Sequence, residues 1–306
     1  MPGDSIVKIA SFGRRQDFLA ATRARPVRGV RPEDGPWEGV SVRGSERRRW
    51  FYKRVRRTLE VTARPNVVGE VLTPRIFARL GLPHLPVEPL RIEADQSWIV
   101  GMPWIELEGA RATHRRSSDL PLPRLAALRD GGLSKLYLAD LLVGNGDRHP
   151  GNLLVSRSGC LPIDHGLALL RPALVLPRCD YFHFLPSFAG VGGCAGEAPS
   201  ARRARRALGR HRRRDAWSGT PEAIARPHPL YIAALDGLRE DDASRRSAKA
   251  FIAGAREALS PRGVERLTED LPEELFEADG DVGREYLQDT LATRLARLDR
   301  ALDLAC

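Results

Sequence analysis

Apolar and polar positions alternate along Gly39-Val-Ser-Val-Arg43 and again along Arg49-Trp-Phe-Tyr-Lys-Arg-Val55, with a polar turn at Gly44-Ser45-Glu46 between them. A period of two on both sides of a short turn predicts a β-hairpin. The spacing then changes. Val67, Val68, Val71, Leu72, Ile76, Phe77 and Leu80 recur every three or four residues, which predicts a helix over Asn66–Gly81. Gly81 suits its C-terminal cap, and Pro74 is expected to shorten or bend it. A second hairpin is predicted from Pro86–Ile92 and Ser97–Ile105, turning at Ala94-Asp95-Gln96. Residues 1–36, rich in Arg, Pro and Gly, read as irregular, with one short helix near Gln16–Arg23.

Beyond Ile105 the helical period dominates. Leu133, Leu136, Tyr137, Asp140, Leu141 and Gly144 fall on one helical face, and the polar loop Asn145–Gly151 follows. Asn152–Ser156 and Cys160–Ile163 predict a small hairpin around Arg157-Ser158-Gly159. Further helices are predicted at about 230–238, 243–259 and 283–304, the last with Leu287, Leu291, Leu295, Leu298 and Leu302 on one stripe. The order predicts an α+β fold in two lobes around a cleft. Residues 1–36 are an irregular N-terminal segment, 37–105 a small antiparallel-sheet lobe, and 106–306 a mostly helical lobe, hinged near Pro103–Gly109.

Composition sharpens one residue. The chain of 306 residues carries a net charge of +10 and a pI near 10.1, which suggests an acidic partner. Only Lys8, Lys53, Lys135 and Lys249 are lysines; the other 45 basic residues are arginines. Where arginine serves nearly everywhere, a lysine inside the apolar strand Trp50-Phe-Tyr-Lys stands out. The run Arg202–Arg214 holds eight arginines in thirteen residues and reads either as a solvated or disordered basic segment or as an electrostatic landing site for an acidic substrate, nucleotide or nucleic acid. Nucleic acid is not the favoured partner, because Trp217 alone makes no stacking platform. Four cysteines without a CxxC spacing argue against a disulfide framework or a zinc site. No leader-like run opens the chain, and no segment approaches the ~18 apolar residues of a membrane span, so a cytoplasmic protein without a transmembrane segment is expected.

The segment Leu141-Leu-Val-Gly-Asn-Gly-Asp-Arg-His-Pro-Gly-Asn-Leu-Leu-Val155, followed by Leu161-Pro-Ile-Asp-His-Gly166, carries the chemistry. Phosphoryl transfer from ATP needs phosphates and Mg²⁺ held still and an acceptor hydroxyl aligned beside a carboxylate. Mg²⁺ takes oxygen ligands, which Asn152 and Asp164 can supply from the two ends of the small hairpin. Asp147, five residues before Asn152, is placed to accept or orient the hydroxyl proton. From the other lobe, Lys53 would bridge the ATP phosphates with Glu70, seventeen residues later, as its partner. Backbone NH groups at the Gly44-Ser45 turn would cover the phosphates. Met102, at the end of the strand that enters the hinge, completes the candidate nucleotide contacts.

Asp147-Arg148-His149-x-x-Asn152 with Ile163-Asp164-His165-Gly166 resembles the atypical kinases of the HipA-like and phosphoinositide-kinase superfamily, whose pattern is D-R-H-x-x-N followed by D-x-G. Gly144-Asn145-x-Asp147-Arg148-His149 is also similar to the secretory-pathway protein kinases. The resemblance spans roughly Gly39 to Leu170 and implies a two-lobed, protein-kinase-like fold. It further implies Asp147 as the catalytic Asp, Asn152 and Asp164 as metal ligands, Lys53 as the phosphate lysine and Glu70 as its partner. His149 would support the loop or touch the terminal phosphate. His165 stands where many kinases have Phe and more readily packs than reacts, and no G-x-G-x-x-G loop precedes Lys53. The expected activity is ATP- and Mg²⁺-dependent transfer to an unidentified protein or lipid hydroxyl. Two alternatives stay open: a small-molecule phosphotransferase of the aminoglycoside or choline type, since Gly146-Asp147-x-His149-x-x-Asn152 matches part of its loop, and a non-catalytic basic binding module on a kinase-like scaffold.

Overall fold

A computed structural model describes residues 7–11, 23–26, 36–43, 46–54, 67–105, 115–116, 132–145, 148, 152–156, 159–166, 168–169, 238, 241–278 and 283–305. Six strands form a closed antiparallel barrel: β1 (Val7–Ser11), β2 (Arg23–Pro26), β3 (Trp37–Arg43), β4 (Glu46–Arg54), β5 (Glu88–Ile92) and β6 (Trp98–Pro103). Their order around the barrel is β1-β2-β3-β4-β6-β5, and pairing of β1 with β5 closes it. Both hairpins predicted for the small lobe are present: β3 pairs with β4 from Trp37↔Tyr52 to Arg43↔Glu46, and β5 pairs with β6.

The structure corrects the N-terminal expectation. Residues 1–36 read as irregular in the sequence, but β1 and β2 lie within them and complete the barrel. Neither strand exceeds five residues, β2 carries Arg23 and Arg25 and ends in Pro26, and such short pieces show no periodicity. Of the short helix expected near Gln16–Arg23, residues 16–22 lie outside the described residues, and Arg23 opens β2.

Ala24, Trp37, Trp50, Tyr52, Leu90, Ile92 and Ile99 fill the barrel. Gly101 sits opposite Tyr52; a Cβ there would stand 2.6 Å from a Leu90 methyl and 3.2 Å from the Tyr52 ring, so only glycine lets the interior close. Strand alternation then sets the direction of the lysine. With Trp50 and Tyr52 inside, Lys53 projects from the opposite face, the side on which its cross-strand partner Val100 joins a second, larger core.

Helix α1 (Val67–Arg79) belongs to that larger core through Val67, Val68, Val71, Leu72, Ile76 and Phe77. It continues through Pro74, whose missing N–H forfeits one bond to the Glu70 carbonyl. Burial of ten of its thirteen residues outweighs that loss. Gly81 then adopts φ +66° and Leu82 N donates to Phe77 O at 2.9 Å, the reversed turn that closes a helix end.

The second lobe is mostly helical: α2 (Ser134–Val143), α3 (Asp242–Ala258), α4 (Pro261–Thr268), α5 (Glu273–Ala278) and α6 (Arg284–Ala305). A small sheet joins them, ordered β7 (Arg115–Arg116), β8 (Leu153–Ser156) and β9 (Gly159–Pro162). The leucine stripe of α6 is buried as its spacing predicts, and α6 and α3 pack on α2. Asp241 caps α3 by accepting from Ala243 N and Ser244 N. Helices α4 and α5 were not predicted; at eight and six residues they are too short to display a period. Of the helix expected at 230–238 only Leu238 is described, and it is helical and buried. Among the described residues no helix is long and apolar enough to cross a membrane.

Candidate active site

Lys53 on β4, Glu70 on α1 and Asp164 beyond β9 meet where the two lobes face each other. Lys53 Nζ donates to Glu70 Oε1 and to Asp164 Oδ1, each at 2.7 Å. The chain brings them there for separate reasons: barrel alternation turns Lys53 toward α1, and Glu70 occupies the first turn of that helix on its buried side. Asp164 holds φ +57°, a left-handed conformation that costs a non-glycine residue roughly 1–2 kcal/mol. That turn is held by its neighbours. The second Glu70 oxygen, Oε2, accepts from the His165 amide at 3.0 Å, so one carboxylate binds both the lysine and the backbone after Asp164.

The electrostatics are unbalanced. Two carboxylates share one ammonium, and Glu70 is 1% exposed whereas the Asp164 side chain is 44% exposed. Burial pushes the Glu70 carboxyl above its usual range, opposed by Lys53. For Asp164, burial acts in the same direction but the Lys53 ammonium outweighs it and holds the carboxyl low. Burial alone would lower Lys53; Glu70 and Asp164 together raise it instead. The lysine is therefore charged at any physiological pH.

A second ionic cluster lies directly behind. Arg148, 1% exposed, pairs with Asp140 of α2 through Nε (3.1 Å) and Nη2 (3.3 Å). Its Nη1 donates to the carbonyls of Asn152 (2.6 Å) and Ile163 (2.9 Å). Asn145 Nδ2 adds a bond to Asp140 Oδ1 at 3.3 Å. Arg148 Nη2 also lies 3.2 Å from His165 Nδ1. A guanidinium only donates, so Nδ1 accepts and the imidazole proton sits on Nε2. Burial, reinforced by the Arg148 charge, keeps His165 neutral, with its pKa well below the ordinary value. The ring meets Phe77 of α1 edge-on, centroids 5.3 Å apart, so His165 packs as its sequence context suggests and also makes a polar contact.

Asn152 and Asp164 come to the same end of the small hairpin. Leu153 pairs with Pro162, and Ile163 N donates to Asn152 O at 3.0 Å, leaving Asp164 as the next residue. Both offer oxygen donors. Among the described residues no group of three or more His, Cys, Asp or Glu side chains could hold a metal. Met102 on β6, opposite Phe51, packs against the larger core and is not part of the ionic cluster. Gly44, Ser45, Asp147, His149 and Arg202–Arg214 lie outside the described residues. Sequence reasoning missed Arg148 and Asp140 as a buried pair. Its available signal was Asp140 itself, a charge on an otherwise apolar helical face.

Residues 132–180 match the family described as Phosphatidylinositol 3- and 4-kinase. No curated protein matches the chain. Among solved structures it is similar to the Helicobacter pylori proinflammatory kinase CtkA, at 12% identity and a TM-score of 0.40, over 88% of this chain and 94% of that one. It is also similar to the N-terminal fragment of LepB from Legionella pneumophila (12%, TM-score 0.37, 86% and 46%). HipA of Shewanella oneidensis MR-1, solved with HipB and its operator DNA, gives 12%, 0.33, 86% and 64%. At these scores the structural likenesses add no weight. The match over 132–180 covers both loop motifs, Asp147 to Asn152 and Asp164 to Gly166, and it is in this segment that the chain is similar to that kinase family.

Proposed function

We propose that the protein is a phosphotransferase that moves the γ-phosphate of ATP, in the presence of Mg²⁺, to a hydroxyl on a protein or a lipid. The observation that carries this reading is the bridging position of Lys53, 2.7 Å from both Glu70 and Asp164. An ammonium between a buried helix carboxylate and a half-exposed loop carboxylate is suited to take phosphate oxygens once Asp164 turns to a cation. Glu70 would keep Lys53 aimed at the cleft.

Asn152 and Asp164 would hold Mg²⁺, because both present oxygen and the metal also takes phosphate oxygens and water. When bound, the ion supplies neutralisation of the phosphate charge. Asp147 would accept the proton of the acceptor hydroxyl as the acceptor oxygen bonds to the γ-phosphorus. The bond from that phosphorus to the β–γ bridging oxygen then breaks, and ADP leaves. Arg148, anchored on Asp140, fixes the chain one residue from Asp147. The turn at Gly44-Ser45 would cover the phosphates, Met102 would border the base, and His149 would steady the loop.

The test is Mg²⁺-dependent turnover of radiolabelled ATP against a panel of protein, phosphoinositide and aminoglycoside or choline hydroxyls, with Lys53→Arg as control. Turnover that needs Mg²⁺, labels a protein or lipid and falls in the control without loss of nucleotide binding supports the reading, since a planar guanidinium fork does not replace a compact ammonium. Label on small molecules alone would give the alternative transferase. Absence of turnover with every acceptor and metal would leave a binding module.

A further inference from the structure

Every donor of the Arg148 guanidinium is used. The group has five N–H bonds in a rigid fork. Nε meets Asp140 Oδ2, Nη1 meets the carbonyls of Asn152 and Ile163, and Nη2 meets Asp140 Oδ1 and His165 Nδ1, all between 2.6 and 3.3 Å. One of these acceptors is the backbone carbonyl of Asn152 itself, and another is that of Ile163, the residue before Asp164. A third belongs to His165, the residue after it. One buried cation thus binds both strands of the small hairpin at their open end and ties them to α2.

We propose that Arg148 is the positioning residue of this site, setting the spacing and orientation of Asn152 and Asp164 relative to α2 so that both can serve one cation. The inference rests on the phosphotransferase reading. Its physical basis is a count of bonds. A hairpin end held by the Ile163 N–H to Asn152 O bond and by Glu70 Oε2 on the His165 amide can still twist relative to α2, and Asp164 already sits in a left-handed conformation that relaxes if its flanks loosen. The guanidinium removes that freedom by gripping the residue on each side of Asp164. Lysine carries the same charge for Asp140 but has three donors for five acceptors.

The experiment is a Mn²⁺ titration followed by the free-ion paramagnetic signal, with ADP present, on the full chain and well below its melting temperature. Arg148→Lys is expected to weaken Mn²⁺ binding roughly 10- to 100-fold, as loss of groups that orient ligands does. ADP affinity without metal should stay within about threefold, because Lys53 and the small lobe are untouched. If Arg148→Lys does not fold, Asp140→Asn keeps the side-chain shape and still loosens the guanidinium, and it should weaken Mn²⁺ several-fold. A folded Arg148→Lys, or in its place Asp140→Asn, with a lowered melting temperature but wild-type Mn²⁺ affinity would overturn the inference and leave Arg148 a core ion pair. Wild-type protein that binds no Mn²⁺ with ADP would instead remove the phosphotransferase reading, and the inference with it.

Discussion

Two ionic clusters stand a few residues apart, and they are built on opposite principles. Around Arg148 one cation meets its acceptors one for one, wholly buried, with Asp140 as its carboxylate partner among the described residues. Around Lys53 one cation faces two carboxylates, one of them 44% exposed and on a left-handed backbone. The first arrangement has no valence left for a ligand. The second has excess negative charge, open to solvent. The difference separates scaffold from site without any knowledge of the reaction.

The comparison breaks most severely at the saturated cluster. Arg148→Met leaves Asp140 charged in a dry interior and removes a donor from the Asn152 and Ile163 carbonyls and from the His165 nitrogen. The expected loss is about 3–5 kcal/mol of folding stability, as for other half-deleted buried pairs. Chemical denaturation followed by circular dichroism measures it. A loss under about 1 kcal/mol would mean that water reaches this pair and that burial is not what distinguishes the clusters.

The open cluster should respond in activity and not in stability. Asp164→Asn keeps the volume, and asparagine tolerates φ +57° better than most residues. It also relieves the surplus charge on Lys53. The melting temperature should hold or rise slightly, while turnover falls by roughly 10²–10³, the usual cost of removing one group that stabilises transition-state charge. Equal losses in both would assign Asp164 to the scaffold.

The legibility of the two clusters in the sequence divides along the same line. Lys53, Glu70 and Asp164, which the structure brings together, could be named in advance because each sits in a motif or at a compositional oddity: a rare lysine in an apolar strand, a helix-start glutamate, and an oxygen donor at the end of a predicted hairpin. Both hairpins and the leucine stripe of α6 were legible because period two and period 3.6 extend over enough residues. Arg148 stands in the D-R-H-x-x-N pattern, but its buried role is not legible until Asp140 is seen to face it. The β1 and β2 strands were hidden for a related reason: closing a barrel uses backbone hydrogen bonds, which leave little trace in side-chain pattern. His165 shows the limit. Its pairing with Arg148 comes from chain segments seventeen residues apart, and no local rule places them together.

His165 gives a finer test, through pH. Its folded pKa lies well below the ordinary 6.5 because burial and Arg148 exclude the proton. Below pH 6.5 the unfolded chain takes up a proton that the folded chain refuses. Stability is therefore full above that pH and falls by up to about 1.4 kcal/mol per unit as pH drops toward the folded value. Denaturation midpoints at pH 7.5, 6.5 and 5.5 should show this decline. His165→Asn, which keeps an acceptor for Arg148 Nη2, should remove its share of the slope while costing some packing against Phe77. An unchanged slope would mean that the imidazole protonates in place.

A third ion pair sharpens the comparison from its weak end. Arg75 of α1 reaches across to Asp270, between α4 and α5, and also donates to Leu267 O at 3.0 Å. The geometry is two-pronged, as good on paper as that of Arg148 with Asp140. Exposure differs: Arg75 is 19% and Asp270 41% accessible, so water competes for both. Asp270→Asn leaves the Leu267 bond in place, and Glu88 stays 3.9 Å from the guanidinium as a second carboxylate. The expected cost is below about 1 kcal/mol, shrinking further in high salt. Melting temperatures at low and high salt measure it. A salt-insensitive loss above about 2 kcal/mol would show that this exposed contact clamps α1, and with it Glu70, as firmly as the buried cluster holds the hairpin.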